Sequence, residues 1–455
     1  MSEKTIAAIS TPPGAGGISV IRISGASARL VADAVFVGVS GKKIREMRGY
    51  TAQYGAVFAG EEKLDEVIAL VFAAPHSYTG EDVVEISCHG GRYLTKQVLR
   101  AILSAGAAPA EPGEFTKRAF LNGKLGLTQA ESVMDLISAN SRQAARAARA
   151  AKEGALFKKI DAVKRELLAV AAHLSAWADY PEEEIEEVQT QALLARLEGA
   201  REAFEALLAS YDMGALLRDG IETVIVGRPN VGKSTLMNLL AGRERSIVTD
   251  IPGTTRDIVE DTILLEDITL NLADTAGIRE TDDPIEQIGV LKAKSRMKSA
   301  ALVLAVFDAS KTLSDDDRAI LRELKEIPSV AILNKCDLPA AIDRAAICAN
   351  AAVVVELSAI SGEGLDALNQ AICEVVGADK FDPSAGVLAN ERQFQSARGA
   401  LECISEAIDA IASGFTLDAV TISIEVAIQE LLELTRERVN EAVVEQVFSQ
   451  FCVGK

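Results

Sequence analysis

TVIVGRPNVGKSTLMNLLAG, residues 223–242, decides the fold of the chain's centre. A β-branched run leads into a glycine-containing loop, and the loop opens directly into a helix-forming stretch. This is the context a phosphate-binding loop requires. Gly227 and Gly232 let backbone N–H groups converge on phosphate oxygens, together with the amides of Asn230, Val231 and Thr235. Lys233 reaches the β- and γ-phosphates, and the Ser234 hydroxyl is a ligand for Mg²⁺.

The companion segments follow in order. DIPGTTRD, 250–257, supplies a loop in which Asp250, Ile251, Pro252, Gly253 and Thr254 lead to Thr255, whose hydroxyl reaches the metal while a γ-phosphate is present. In LADTAGIRE, 272–280, Asp274 ends a strand and holds a metal-bound water. Thr275, Ala276 and Gly277 bring the backbone to the γ-phosphate. NKCD, 334–337, provides Asn334, Lys335 and Asp337. The Asp337 carboxylate accepts hydrogen bonds from guanine N1–H and its 2-amino group, whereas adenine would leave it unpaired. SAISGEG, 358–364, places the backbone of Ser358 and Ala359 near the guanine carbonyl. GTP is favoured over ATP.

One position departs from the usual switch. The residue after Asp-x-x-Gly is commonly a glutamine that orients the attacking water, and here it is Ile278. Another group must therefore stabilise the developing charge. The Asn230 amide oxygen, the Thr249 and Ile251 carbonyls and the Thr254 side chain form an oxygen set suited to K⁺. Glu286 is the carboxylate nearest in sequence that suits orientation of water. The alternative for Asn230 is a simple turn residue, and Glu286 equally suits the solvated start of a helix.

Around this centre the texture changes. At 455 residues, with typical domains of ~100–200 residues, about three domains are expected. Residues 1–117 carry strand-like runs (ISVIRIS, EVIALVF, VVEISC) between Pro/Gly turns and read as an α+β domain. Residues 118–217 are rich in Ala, Glu, Leu and Lys at helical spacing, with a capping-box pattern at Thr128–Glu131 and a break near Gly154. Residues 218–377 alternate short β-rich runs with helical stretches, the pattern of a parallel sheet covered on both faces. Residues 378–455 return to amphipathic helices. An α/β domain inserted into an all-α domain accounts for this order.

The formal charge of −19 argues against a surface that attracts nucleic acid everywhere, while leaving room for a local basic patch or for RNA held by a partner. Six scattered cysteines without metal-like or disulfide-like spacing fit a reduced cytoplasm. The longest apolar run, ALVLAVF, stops at Asp308, far short of a membrane span.

Nearly end to end, the chain resembles the MnmE/TrmE family of tRNA-modification GTPases. The resemblance rests on TPPGAGGISVIRISG, SYTGEDVVEISCHGG, PGEFTKRAFLNGKLGLTQAES, the nucleotide motifs and the terminal FCVGK. It implies a K⁺-dependent GTPase, active as a cytoplasmic homodimer, with K⁺ at Asn230 and the Thr249–Thr254 loop and with Glu286 aligning the water. It further implies an N-terminal domain that binds 5-formyl- or 5,10-methylene-tetrahydrofolate through Arg22, Glu85, Lys124 and Lys455. Cations there suit glutamyl carboxylates, and an acid suits pterin N–H groups. With an FAD-binding partner, MnmG/GidA, in a heterotetramer, the family installs an aminomethyl-type group at C5 of the wobble uridine of tRNA. Cys452 is either a small apolar residue or a functional thiol near the folate. His89 either lines the same pocket or packs. The chain departs from the family pattern at Ala15, at Gly126 and in LLELTR near Leu431.

Two rival functions share some of these features. A GTP-dependent ribosome-assembly or scaffold switch needs the nucleotide motifs alone. A one-carbon transferase merely regulated by GTP needs both sites, without their coupling to tRNA.

Overall fold

The computed structural model describes residues 4–179, 189–243, 261–265, 268–272, 297, 300–379, 381–382, 384–435, 447–449 and 451–454. The chain forms two compact units: Met1–Met134 joined by Gln429–Lys455, and Asp135–Ile428. No described helix is long and apolar enough to cross a membrane.

The first unit is built on strands β1 (Ile6–Ile9), β2 (Ile18–Ser24), β3 (Phe36–Gly38), β4 (Thr51–Ala59), β5 (Glu62–Phe72), β6 (Val83–His89) and β7 (Ala108–Pro109). They form one sheet in the order β3-β4-β5-β6-β2-β1-β7. Helices α1 (Ala28–Val35) and α2 (Arg92–Ser104) cover one face. Alternation along the strands sorts the side chains: Ile21 and Ile23, with Val84 and Ile86, enter the core under these helices. Arg22 and Glu85 therefore stand on the opposite face. Helix α3 (Glu114–Leu121) sets Phe115 against Ile6, Ala8 and Ala110.

Helix α4 (Leu127–Ser138) starts one residue before Thr128, which is buried inside it. The expected Thr128 cap is thus replaced by Gly126, whose N–H donates to Gln129 Oε1 at 2.8 Å. Burial of Thr128 outweighed its capping preference, and a glutamine side chain satisfies the end in its place. Phe448 and Phe451 pack against Leu127 and Ala130, tying the C-terminal segment into this unit.

In the second unit, α5 (Arg142–Lys152) and α6 (Ala155–Asp179) meet at Gly154, with φ +83°. Helices α7 (Thr190–Ala209) and α8 (Tyr211–Asp219) follow. The α/β region contains β8 (Ile221–Val226), α9 (Lys233–Arg243), β9 (Asp261–Leu264), β10 (Thr269–Leu272), β11 (Leu302–Asp308), α10 (Asp315–Glu323), β12 (Ser329–Asn334), α11 (Arg344–Cys348), β13 (Val353–Leu357) and α12 (Leu365–Val376). Its sheet runs β13-β12-β11-β8-β10-β9, parallel except for β9 against β10. Alternate residues of β11 serve two cores: Leu302, Leu304 and Val306 on one face, Val303, Ala305 and Phe307 on the other. The expected doubly covered parallel sheet is present, and its strand ends carry the loops of interest. Helices α13 (Glu391–Ala412) and α14 (Leu417–Thr435) complete the all-α segments.

Candidate functional site

Strand β8 delivers the chain to Gly227 at φ +151°, where a Cβ would lie 2.4 Å from the Val306 carbonyl oxygen. The loop then crosses Asn230 at φ +64°, a left-handed conformation that asparagine tolerates better than most residues. At Gly232, φ +99°, a Cβ would meet Asn334 Nδ2 at 2.2 Å. Glycine is needed at both ends of the loop because backbone or amide atoms occupy the space of a side chain.

Helix α9 begins at Lys233, so its first-turn N–H groups point toward the loop. Lys233 Nζ donates to the Gly227 and Arg228 carbonyls, both at 2.8 Å, which holds the ammonium over the loop. Ser234 and Thr235 lie exposed in the same turn. Arg228 is anchored away from the loop: its Nε reaches the Asp317 carboxylate at 2.8 and 2.9 Å. Asp317 is 2% exposed and also receives the Ser314 N–H and hydroxyl at the start of α10.

Asn334 ties two loops together. Its Nδ2 donates to the Val231 carbonyl at 2.8 Å, and its Oδ1 accepts from Ala359 N–H at 2.9 Å. The Ala359 N–H that sequence reasoning aimed at a guanine carbonyl is thus directed to Asn334 instead. Lys335, at φ +67°, donates to the Asn230 carbonyl at 2.9 Å and to Asp308 Oδ2 at 2.7 Å. Asp308 is buried at the end of β11. Burial alone would push its carboxyl up, but hydrogen bonds from Lys335 and Ser310 together hold it below the usual carboxylate range. Ser358 is buried, with its N–H on the Glu363 carbonyl. Asp337 is exposed, and no group among the described residues engages its carboxylate.

Asn230, Val231, Gly232, Lys233, Ser234, Thr235, Asn334, Lys335, Asp337, Ser358 and Ala359 thus gather at the ends of β8, β12 and β13. Thr249, Asp250, Ile251, Pro252, Gly253, Thr254, Thr255, Asp274, Thr275, Ala276, Gly277, Ile278 and Glu286 lie outside the described residues. Sequence reasoning missed Arg228, Asp308 and Asp317 as supports. Asp308 registered only as the end of an apolar run, and the Arg228 partner stands far downstream with nothing local to mark it.

In the other unit, Arg22 and Glu85 are direct cross-strand partners on β2 and β6. Arg22 Nε and a terminal guanidinium nitrogen both reach Glu85 Oε1 at 2.8 Å, with the side chains 17% and 21% exposed. The guanidinium lies 5.6 Å from the Tyr78 ring centre and 5.5 Å from that of Phe115. Burial pushes the Tyr78 hydroxyl up, and that hydroxyl pairs with Thr116 Oγ1 at 2.8 Å. Lys124 Nζ donates to the Pro75 carbonyl at 3.1 Å, so the segment from Pro75 to Tyr78 links it with Arg22.

His89 Nδ1 is 2.7 Å from Asp65 Oδ1, and its ring is largely exposed. Cys452 is exposed, so the apolar-packing alternative does not hold. Its carbonyl accepts from Gly113 N–H at 3.3 Å, and Val453 bridges to Pro112. Lys455 lies outside the described residues, one position beyond Gly454, whose carbonyl accepts from Ser10 Oγ at 3.1 Å.

A family profile described as the MnmE helical domain matches residues 127–452, and one described as the GTP-binding protein TrmE N-terminus matches residues 5–124. The tRNA modification GTPase MnmE of Natranaerobius thermophilus is 43% identical over 460 residues, covering 100% of both chains. The protein of that name from Symbiobacterium thermophilum is 43% identical over 459 residues, again 100% of both. Clostridioides difficile has one 41% identical over 457 residues, covering 100% of this chain and 99% of its own. The solved G domain of the T. maritima FeoB iron transporter aligns over 34% of this chain and 98% of its own length, at 26% identity and a TM-score of 0.26. By its full-length relatives and by both profiles, the chain belongs to the MnmE (TrmE) family of tRNA modification GTPases.

Proposed function

We propose that this chain is a GTP hydrolase acting in tRNA modification. The observation that carries the reading is the cradle at the end of β8: Lys233 held over a glycine-bounded loop, with Asn334 and Lys335 fixing that loop from the guanine side. Family membership supplies the process. Lys233 neutralises phosphate charge, and exposed Asp337 accepts from the guanine N–H groups.

Because Ile278 cannot orient water, we assign that role to Glu286. The donor set suits a hard cation: Asn230 is exposed in the loop, and we assign its amide oxygen, with the Thr249 and Ile251 carbonyls and the Thr254 side chain, as the oxygen ligands. Held by these oxygens, a K⁺ would supply the positive charge that an arginine provides in other GTPases, and Ser234 and Thr255 would hold a Mg²⁺ that screens the phosphates.

Arg22, Glu85, Lys124 and Lys455 are assigned to a tetrahydrofolate. Both Arg22 contacts use Glu85 Oε1, so Oε2 is left to accept a pterin N–H. Cys452 is exposed beside Pro112–Gly113, a placement that supports a thiol role. We further assign a cytoplasmic homodimer, an FAD-binding MnmG/GidA partner, C5 of the wobble uridine as target, and three domains: 1–117, 118–217 with 378–455, and an inserted 218–377.

Turnover in matched potassium and sodium buffers tests the reading. GTP hydrolysis is expected to fall at least tenfold in sodium, and equal rates would refute the cation assignment. Glu286→Ala should slow hydrolysis with nucleotide affinity retained, so unchanged turnover would reject its role.

A further inference from the structure

The chain carries −19 overall, yet residues 142–165 hold eight Lys and Arg against two Asp and Glu. This island coincides with α5 and the start of α6. On α5 the alanines at 144, 148 and 151 are buried. Arg142, Arg146 and Arg149, at spacings of four and three, share the opposite, exposed side. Lys158 is exposed in the first turn of α6, just past the Gly154 turn.

Arg146 and Lys159 act on the same carboxyl, Asp382, so the cations of the two helices share one neighbourhood. Asp382 is held low first by hydrogen bonds from Ser384 and then by these two charges. Among the described residues no carboxylate forms an ion pair with Arg146, Arg149 or Lys158. Nearby exposed cations do pair, as Arg165 does with Asp161 along α6 and Arg196 of α7 with Glu166 of α6. Unpaired like charges at (i, i+3) repel one another, and a helix face keeps them at a small cost that a polyanion offsets.

We infer that the outer face of α5 and the first turn of α6 form a docking surface for the phosphate backbone of tRNA. The inference rests on the tRNA reading above, which names the polyanion; the charge island supplies the place. Arginine suits this use because its planar fork pairs two phosphate oxygens at once. Contacts of this kind position an RNA without reading its bases. Glu153 follows the arginines on the same exposed side and weakens the strip.

The test is the salt dependence of tRNA binding by the full-length chain, followed by fluorescence anisotropy, for wild type and for Arg146→Gln/Arg149→Gln/Lys158→Gln. Loss of three phosphate contacts should flatten the log affinity against log salt slope by about 2–3. GTP turnover and the melting temperature should stay at wild-type values. Arg146→Lys/Arg149→Lys should keep the wild-type slope, and Glu153→Gln should tighten binding. An unchanged slope in the triple variant, or wild-type chain that fails to bind tRNA at low salt, would overturn the surface. Equal retention of polyglutamate by this face would overturn its assignment to RNA. Wobble-uridine nucleoside analysis in cells lacking the chain reports separately on the tRNA reading, so the two can fail independently.

Discussion

The nucleotide cradle and the Arg22–Glu85 face hold their charged groups by different means. In the cradle, backbone geometry and buried amides do the holding: Lys233 spans two carbonyls of its own loop, while Asn334 and Lys335 brace that loop from β12. On the sheet face, strand register places a cation beside an anion, and the two satisfy each other before any ligand arrives. The first site presents phosphate-binding groups in a fixed array. On the second, a ligand would have to share Glu85 through its spare Oε2 or displace the ion pair, so its affinity would depend on what the pair was worth. A pair with side chains only 17% and 21% exposed is worth more than a surface pair, about 1–2 kcal/mol, which still keeps that exchange feasible.

Removing the brace should break this contrast most strongly. Asn334→Ala leaves the Val231 carbonyl and the Ala359 N–H without their partner, at an expected cost of about 2–4 kcal/mol. Titration with a fluorescent GTP analogue should show affinity falling roughly a hundredfold. Affinity within threefold of wild type would mean the loop holds its shape unaided.

The next effect sharpens the comparison through pH. Asp308 has its carboxyl depressed in the folded chain, so it stabilises the fold above the unfolded carboxyl pKa of ~3.9, and that contribution is lost as pH falls through the lower folded value. Lys335→Ala leaves the buried carboxylate with only the Ser310 hydrogen bonds and the more distant Lys311, an expected loss of about 2–3 kcal/mol at neutral pH. Without Lys335, burial raises the carboxyl, and the deficit of the variant should shrink in acid. Denaturant unfolding of both proteins at pH 7 and pH 4 reads this directly; a deficit that grows in acid would contradict it.

The smallest effect is expected on the sheet face. Arg22→Ala should cost the fold about 1–2 kcal/mol, because the Glu85 carboxylate it leaves behind meets water over only about a fifth of its surface. Calorimetric titration with 5-formyl-tetrahydrofolate should show affinity down about tenfold, with GTP turnover unchanged. Loss of GTP turnover in this variant would show that the two sites are not separable in this way.

The same contrast explains what was legible in the sequence. The cradle could be located because its constraints are local: a strand, a glycine at each end of the loop, a lysine and a helix occupy one short segment. The β-runs ISVIRIS and VAILN emerged as strands with little change, since apolar β-branched runs fit a buried sheet. Arg22 and Glu85 carry no local mark; 63 residues separate them, and only the register of β2 against β6 makes them partners. Family resemblance supplied those positions. The Arg228–Asp317 anchor escaped for the same reason, since its two ends join across a fold whose topology had to be seen first. At Thr128 the local pattern met a stronger tertiary demand, and the cap falls two residues earlier, at Gly126.

Replacement of the chain by its Lys233→Ala form in cells tests the central claim most directly, with mass spectrometry of tRNA nucleosides as the readout. If GTP hydrolysis at this cradle drives the modification, the C5-modified wobble uridine should disappear while the variant accumulates at wild-type levels. Undiminished modification with the cradle disabled would contradict the account.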